Sequence, residues 1–199
     1  MHVEPKYKDL HRVASTAIIH KDGKYLITRR SLDKKSSPGK WTVPGGGLET
    51  DDYIHQPAST ADGKQWYGAL ETSLRREILE EVGLTVGPLH YLLDLTFIIP
   101  DGIPAIVLSF YADYASGDVV LNKESIDHAW VTPDEAKGYD LIDGIAEEIF
   151  DQLRHVALLR SIVLLVHEAL ESRTAHHRFE CCTSLGFRTI ALQDRMHRP

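Results

Sequence analysis

Residues 76–84 read Arg76-Glu77-Ile78-Leu79-Glu80-Glu81-Val82-Gly83-Leu84. They close a longer run, Ala69–Val82, that contains no internal glycine or proline, and Gly83 is a typical residue just beyond a helix C-terminus. Apolar residues recur along one side of this run, so it predicts an amphipathic helix over residues 69–82. Glu77, Glu80 and Glu81 fall at positions i, i+3 and i+4, and we expect their side chains on one helix face.

Three like charges on one face repel one another by tenths of a kcal/mol, roughly, for each pair. Such a cluster favours a positively charged occupant, and carboxylate oxygens suit Mg²⁺ or Mn²⁺ better than Zn²⁺. The alternative is an acidic face that is simply solvated. The helix by itself does not exclude that alternative.

A glycine-rich stretch precedes the helix. Residues 44–49, Pro-Gly-Gly-Gly-Leu-Glu, follow the β-prone residues Trp41-Thr42-Val43. Glycine lets the backbone approach a ligand closely, so that its carbonyl groups can face a metal ion. The combination of this stretch with the acidic helix favours a ligand site over a solvated surface.

Further β-prone and helical segments surround these two features. Apolar runs bounded by turn residues predict strands and two hairpins. Two further helices are predicted after the last of these strands. The strands are Val13–His20, Lys24–Arg30, Leu89–Ile99, Ala105–Ala112 and Ile126–Val131; the helices start at Thr132-Pro133 and at Ile142, the latter running to Leu159. This order predicts an α/β (α+β) protein with a mixed sheet covered by helices.

Together these residues resemble the Nudix hydrolases. The family's motif is Gly, five residues, Glu, seven residues, and then Arg-Glu-apolar-x-Glu-Glu-x-Gly-apolar. Its second half matches residues 76–84 throughout, its first half matches 46–52, and the resemblance extends over residues 10–155. It implies a Nudix-type α/β/α sandwich, with a mixed β-sheet between helices.

The first half of the motif departs from the family in two ways. Asp52 stands where the family has glutamate, and it precedes Arg76 by 24 residues instead of eight. An insertion of 16 residues, Tyr53–Gly68, therefore lengthens the connection to the helix. Counting back eight residues from Arg76 would instead put Gly68 at the glutamate position. We favour Asp52, because it keeps the spacing from Gly46.

The resemblance also implies a catalytic arrangement. Glu77, Glu80 and Glu81 would hold Mg²⁺ (or Mn²⁺), helped by the Gly46 carbonyl, while Arg76 would pair with a neighbouring carboxylate and orient it. Water would attack a phosphorus of a nucleoside diphosphate derivative, and one carboxylate would accept the proton of the water. Glu77 and Glu80 are equally good candidates for this base, and Glu124 is the candidate on a later loop.

Candidates for contact with the substrate are basic, glycine or aromatic residues near the motif: Arg29, Arg30, Lys40, Gly45, Trp66 and Tyr67. The basic side chains would meet phosphates from the strand ends, or would be solvated. The two aromatic side chains lie in the insertion, which we expect to flank the substrate. There they would stack on a base or form a lid; alternatively, they build a small core within the insertion.

The substrate class is less determined. We expect the substrate to be a small nucleotide. A nucleoside triphosphate is the first candidate, and its oxidised and deoxy forms are included. ADP-ribose or a nucleotide sugar is the alternative, because Pro100, 16 residues after Leu84, resembles a proline of ADP-ribose-hydrolysing members. An alternative of another class is a sensor that binds nucleotides without cleaving them.

Composition sets wider limits. The chain of 199 residues has 22 basic and 29 acidic residues, and its net charge of −7 argues against nucleic-acid binding. Its two cysteines, Cys181 and Cys182, are adjacent and cannot form a disulfide scaffold. No apolar run approaches the ~20 residues of a membrane span, and the N-terminal residues lack a signal-peptide pattern. We therefore expect a cytoplasmic protein without membrane contact.

The charge is unevenly distributed along the chain. Residues 1–158 carry 25 acidic and 16 basic residues, whereas residues 159–199 carry four acidic residues and six arginines. This change predicts one Nudix domain over 1–158 and a C-terminal tail of uncertain role over 159–199. A homodimer is the assembly that the resemblance implies, although no spacing in the sequence indicates it.

Overall fold

The structure is a computed structural model that describes residues 9–152. The predicted boundary near Leu158 and the tail over 159–199 lie outside the described residues.

A mixed β-sheet forms the centre of the described residues. Its eight strands are β1 (Arg12–Lys21), β2 (Lys24–Arg30), β3 (Trp41–Thr42), β4 (Gly45–Gly47), β5 (Thr85–Val86), β6 (His90–Ile98), β7 (Pro104–Ser116) and β8 (Ser125–Val131). The main path runs β3-β2-β1-β7-β5, while β4 pairs with β1, β6 with β7 and β8 with β2. Only β1 and β7 run parallel among these pairs, so the predicted mixed sheet is confirmed.

Both predicted hairpins form. In the first, Asp22 and Gly23 take positive φ angles of 51° and 79° and link β1 to β2 as a two-residue turn. The second joins β6 to β7, and β7 extends beyond the predicted strand. The glycine stretch behaves differently from a loop: Gly45–Gly47 pairs with residues 14–16 of β1 as strand β4.

Helix α1 (Ala69–Val82) has the predicted bounds. Gly83 adopts φ 70° and its N–H donates to the Leu79 carbonyl, which ends the helix. Leu74, Ile78 and Val82 are fully buried against one face of the sheet. Burying three such side chains contributes several kcal/mol, roughly 1.5–3 for each, and fixes how α1 lies on the sheet.

The opposite face of the sheet is covered by helical residues 145–152. Glu148 accepts a hydrogen bond from Ser109 of β7, and Gln152 accepts one from Tyr25 of β2. Helices on both faces confirm the α/β/α sandwich. The predicted helix Ile142–Leu159 starts later than expected, at residue 145, and its second half lies outside the described residues.

A short helix α2 (Pro133–Ala136) follows β8, with Thr132 as its N-cap as predicted. Among residues 9–152, no helix combines the length and the apolar character needed to cross a bilayer.

Candidate active site

A cleft of about 1170 Å³ opens beside helix α1 and the glycine strand β4. Six carboxylates line it: Glu49, Glu77, Glu80, Glu81, Glu124 and Asp143. Five basic side chains line it as well: Arg12, Arg30, Lys34, Arg76 and Lys123. A cleft that combines acidic and basic groups can hold a cation together with an anionic ligand.

Helix α1 presents the three predicted glutamates to this cleft. Because Leu74, Ile78 and Val82 face the sheet, the glutamates at positions 77, 80 and 81 lie along the border of the buried stripe. The Glu77 side chain is 14% exposed and that of Glu80 56% exposed. The structure therefore brings the predicted set together, in environments of graded burial.

Burial changes the protonation of two of these groups. Desolvation raises the pKa of Glu81 to about 7. The Gly45 N–H donates to Glu81 Oε2 at 2.9 Å and opposes this rise, whereas the charges of Glu77 and Glu124 add to it. Desolvation likewise raises the pKa of Glu77, against the effect of the neighbouring Arg76. Holding both groups ionised is costly, so a cation in the cleft would be stabilising.

Arg76 connects the carboxylates to one another. Its Nη1 donates to Glu77 Oε1 at 3.0 Å and to Glu80 Oε2 at 3.1 Å. Its Nε and Nη2 donate to the two oxygens of Asp52 at 2.6 and 3.1 Å. This two-point contact fixes the plane of the guanidinium group. Arg76 thus orients two cleft glutamates and is itself held by Asp52.

Asp52 lies next to helix α1 although 24 residues separate it from Arg76. It ends a 3-10 turn, Thr50–Asp52, and its side chain is only 2% exposed. The Arg76 hydrogen bonds hold the pKa of Asp52 down, at about 2, and the Glu49 N–H contributes to the lowering. Asp52 thus brings a buried carboxylate to Arg76, and both of its oxygens accept hydrogen bonds from that arginine.

Glu124 approaches the glutamates from the loop before β8. Its carboxylate pairs with Lys34 Nζ at 2.6 Å, and its backbone is held by Ser31 N–H and by the Asn122 side chain. It lines the same cleft as Glu77, Glu80 and Glu81, and its charge adds to the raised pKa values of Glu77 and Glu81. The loop candidate for the base is therefore placed beside the helix candidates.

Gly46 lies directly against Glu77. A Cβ atom at Gly46 would lie 2.2 Å from the Glu77 carboxyl carbon. At the neighbouring Gly45 a Cβ would instead lie 2.2 Å from the Ser15 carbonyl oxygen, and the residue has φ 154°. The first glycine makes room for the Glu77 side chain, and the second makes room for the backbone of β1.

This difference predicts opposite results for two neighbouring alanine variants. In Gly46→Ala the flexible Glu77 side chain must move, so we expect the hydrolysis that the resemblance implies to fall about 100-fold, the loss typical of a misplaced reacting group, with little change in stability. In Gly45→Ala the backbone of β1 must move, so we expect about 3 kcal/mol of destabilisation. Hydrolysis rates and urea unfolding measure the two effects. Equal unfolding free energies for the two variants would contradict the assignment.

The structure divides the candidates for substrate contact. Arg30 and Gly45 line the cleft. Arg29 does not; it donates to the Gly39 carbonyl, and Lys40 is taken up by Asp140 at 3.0 Å. Trp66 and Tyr67 line a separate cavity of about 270 Å³ within the insertion. No residue of the insertion lines the larger cleft, and Trp66 packs against Tyr53 within the insertion.

Several cleft residues were not among the sequence candidates. Arg12, Lys34 and Lys123 are basic side chains with no motif around them, and nothing in the sequence distinguished them from other surface lysines and arginines. An apolar wall consists of Leu95, Phe97, Ile99, Pro100, Ala105 and Val107. Its signal was present in the period of two along β6, where Leu95 and Phe97 are 36% and 47% exposed.

The donor atoms fit a hard divalent cation, since the carboxylates of Glu77, Glu80 and Glu81 line one cleft. As placed, Arg76 occupies oxygens of Glu77 and Glu80. Within residues 9–152, no three His, Cys, Asp or Glu side chains already stand in the geometry of a metal site. The chemistry of the set, rather than a preformed cage, is the observation that speaks for a cation.

Known proteins resemble the chain in both sequence and fold. The family model described as "NUDIX domain" matches residues 9–153. Nucleoside triphosphatase NudI of Klebsiella pneumoniae (strain 342) is 34% identical over 134 residues, 62% of this chain and 84% of that protein. NudI of Escherichia coli O81 (strain ED1a) is 35% identical over the same shares.

Two solved structures share the fold. The MutT protein from Methanosarcina mazei Go1 aligns with a TM-score of 0.57 at 24% sequence identity. The alignment covers 76% of this chain and 96% of the MutT chain. The NUDIX domain of Shewanella oneidensis NrtR, complexed with ADP ribose, has a TM-score of 0.58 at 15% identity and covers 77% of this chain and 93% of its own.

Proposed function

The chain belongs to the Nudix family, and from that premise we propose that it is a metal-dependent pyrophosphohydrolase acting on a nucleoside triphosphate. One observation carries the proposal: the motif carboxylates, Arg76 and four further basic side chains line the same cleft. The NudI relatives, named as nucleoside triphosphatases, support this substrate class.

Glu77, Glu80 and Glu81, with the Gly46 carbonyl, would hold Mg²⁺ or Mn²⁺. When bound, such an ion neutralises phosphate charge and lowers the pKa of water. The raised pKa values of Glu77 and Glu81 support this role, since a nearby cation favours their ionised forms. Arg76 keeps Glu77 and Glu80 oriented toward the cleft through its own bonds to Asp52.

A carboxylate must accept the proton of the attacking water. Glu77, Glu80 and Glu124 are the three candidates in the cleft. Lys34 accompanies Glu124 at 2.6 Å and adds a positive charge where a polyphosphate would lie. Arg12, Arg30 and Lys123 supply further positive charge for the phosphate oxygens.

The apolar wall suits the rest of a nucleotide. Phe97 is 47% exposed within the cleft, so its ring is available to contact a base. The acidic and basic groups would then take the triphosphate. This division explains why a protein with a net charge of −7 handles an anionic substrate.

ADP-ribose or a nucleotide sugar is the second candidate substrate. Pro100 lines the cleft, and the NrtR domain of similar fold is complexed with ADP ribose. A nucleotide sensor without catalysis is the third reading.

A substrate panel separates these readings. We expect the wild-type protein with Mg²⁺ to release phosphate or pyrophosphate from nucleoside triphosphates faster than it cleaves ADP-ribose, and Glu80→Gln to lower that rate at least about 100-fold. The matched control is Glu71→Gln, because Glu71 also pairs with an arginine on α1 but lies outside the cleft. Binding without release from any compound would overturn the enzyme reading; faster cleavage of ADP-ribose would overturn the substrate class.

A further inference from the structure

The insertion Tyr53–Gly68 forms a closed loop of its own. Its backbone is joined internally by Ser59 N–H to the Gln65 carbonyl and by Gly63 N–H to the Thr60 carbonyl. The Tyr67 N–H donates to the Ser59 hydroxyl. None of its residues lines the substrate cleft. The insertion is therefore an ordered element whose effect on the cleft must pass through the residues that it touches.

The insertion begins at the carboxylate that holds Arg76. Of residues 48–72, all of which the structure describes, Asp52 alone is buried. Aspartate is one methylene shorter than the glutamate of the motif, so its backbone must lie closer to Arg76 to reach it. Asp52 shares the small cavity of the insertion with Tyr53 and Trp66, and with Ala69 and Thr72 of helix α1.

Trp66 closes this arrangement from the far end of the loop. Its ring packs against that of Tyr53, with centroids 5.5 Å apart, and its indole N–H donates to the Gln56 carbonyl at 2.9 Å. One side chain thus joins the last residues of the insertion to the first. Both contacts restrain the backbone immediately after Asp52.

We propose that Trp66 is a positioning residue for hydrolysis, which fixes Asp52 against Arg76 and thereby sets the orientation of Glu77 and Glu80. The chain of contacts runs from Trp66 through Tyr53 to Asp52 and Arg76. The inference rests on the proposed hydrolase function for its kinetic consequence, but the contact itself exists without substrate. The insertion then compensates for the shorter carboxylate.

The kinetic test compares three variants on whichever substrate the wild-type protein cleaves fastest. We expect Trp66→Ala to lower kcat about 10-fold or more with KM within a factor of two, as displaced catalytic groups do. Trp66→Phe keeps the ring contact and should recover most of kcat. Ile54→Ala, at a residue of the same loop that is 52% exposed, serves as the control and should match the wild type. A raised KM with unchanged kcat would overturn the proposal in favour of substrate contact.

A second comparison separates positioning from general loss of structure. In an Asp52→Asn background, Trp66→Ala should lower kcat little further, because both changes act on the same arginine. Full additivity of the two losses would contradict the proposed route.

A third measurement does not depend on turnover. In the metal-free protein the Arg76 Nε–H should exchange slowly with solvent, because it is bonded to a buried carboxylate at 2.6 Å. Nitrogen-15 NMR should show that this exchange is faster in Trp66→Ala than in the wild type. If Trp66→Ala does not fold, Trp66→Phe is measured instead and should show a smaller acceleration. Unchanged exchange in the folded variants would overturn the proposal even if no substrate were cleaved.

Discussion

Replacing Glu81 with glutamine is expected to stabilise the metal-free protein at pH 8 and at the same time to abolish most of its activity. Burial raises the pKa of Glu81 from 4.5 to about 7, so between these values the folded state binds more protons than the unfolded state. Stability is therefore lost as the pH rises from about 4.5 to about 7. Glutamine removes the ionised form, and we expect a gain on the order of 2 kcal/mol at pH 8.

The same substitution should lower kcat about 10²–10³-fold, because it removes a charge on which the proposed cation would depend. Glutamine still offers an oxygen to the Gly45 N–H, so the local fold is kept. Urea unfolding across pH 4–9 and steady-state rates measure the two effects. We also expect Mg²⁺ to stabilise the wild-type protein more than Glu81→Gln.

Glu148→Gln is the matched control for this result. Glu148 is also buried with a raised pKa, but it lies on the opposite face of the sheet and accepts its hydrogen bond from Ser109. It should likewise gain stability at high pH, yet keep its activity. Loss of activity in the control, or loss of stability in Glu81→Gln, would contradict the role assigned to Glu81.

The local parts of the structure followed from the sequence. Helix α1 was predicted with its observed bounds because periodicity, an uninterrupted run and Gly83 all act within a few residues of one another. The clustering of Glu77, Glu80 and Glu81 follows from helix geometry alone. The first hairpin was equally local, since Asp22 and Gly23 are favoured in its turn.

The long-range parts did not follow. Lys34 meets Glu124 across 90 positions of sequence, and no local pattern relates them. Arg30 and Lys40 looked alike as basic residues at strand ends, but Lys40 is captured by Asp140, which only the fold brings close. Strand β4 was missed as a strand because three glycines carry no alternation of side chains. The sequence therefore did not predict which distant residues come into contact in the folded protein.

Asp52 combines a local feature, which the sequence predicted, with a long-range contact, which it did not. The motif spacing from Gly46 pointed to it, whereas the distance from Arg76 pointed away from it. In the structure the insertion loops out, so that Asp52 contacts Arg76 across the 24 intervening positions. The fold tolerated an insertion there because only the two ends, and not the length, decide whether the pair forms.

Replacing Arg76 with methionine is expected to lower both activity and stability, in contrast to Glu81→Gln. Asp52 would remain buried without its partner, which typically costs about 3 kcal/mol, and Glu77 and Glu80 would lose their orientation. The pKa of Asp52 is held at about 2, below its ordinary 3.8, so the contribution of the pair is full above about pH 5 and is lost as the pH falls through about 4 toward 2. The stability difference between Arg76→Met and the wild type should therefore shrink over that acidic range.

Adding Asp52→Asn to Arg76→Met should restore part of the stability but none of the activity, because it removes the unpaired charge without restoring the orienting group. Urea unfolding from pH 2 to 7, with rates at neutral pH, tests this. A double variant no more stable than Arg76→Met would mean that Asp52 is not held as a buried ion by Arg76.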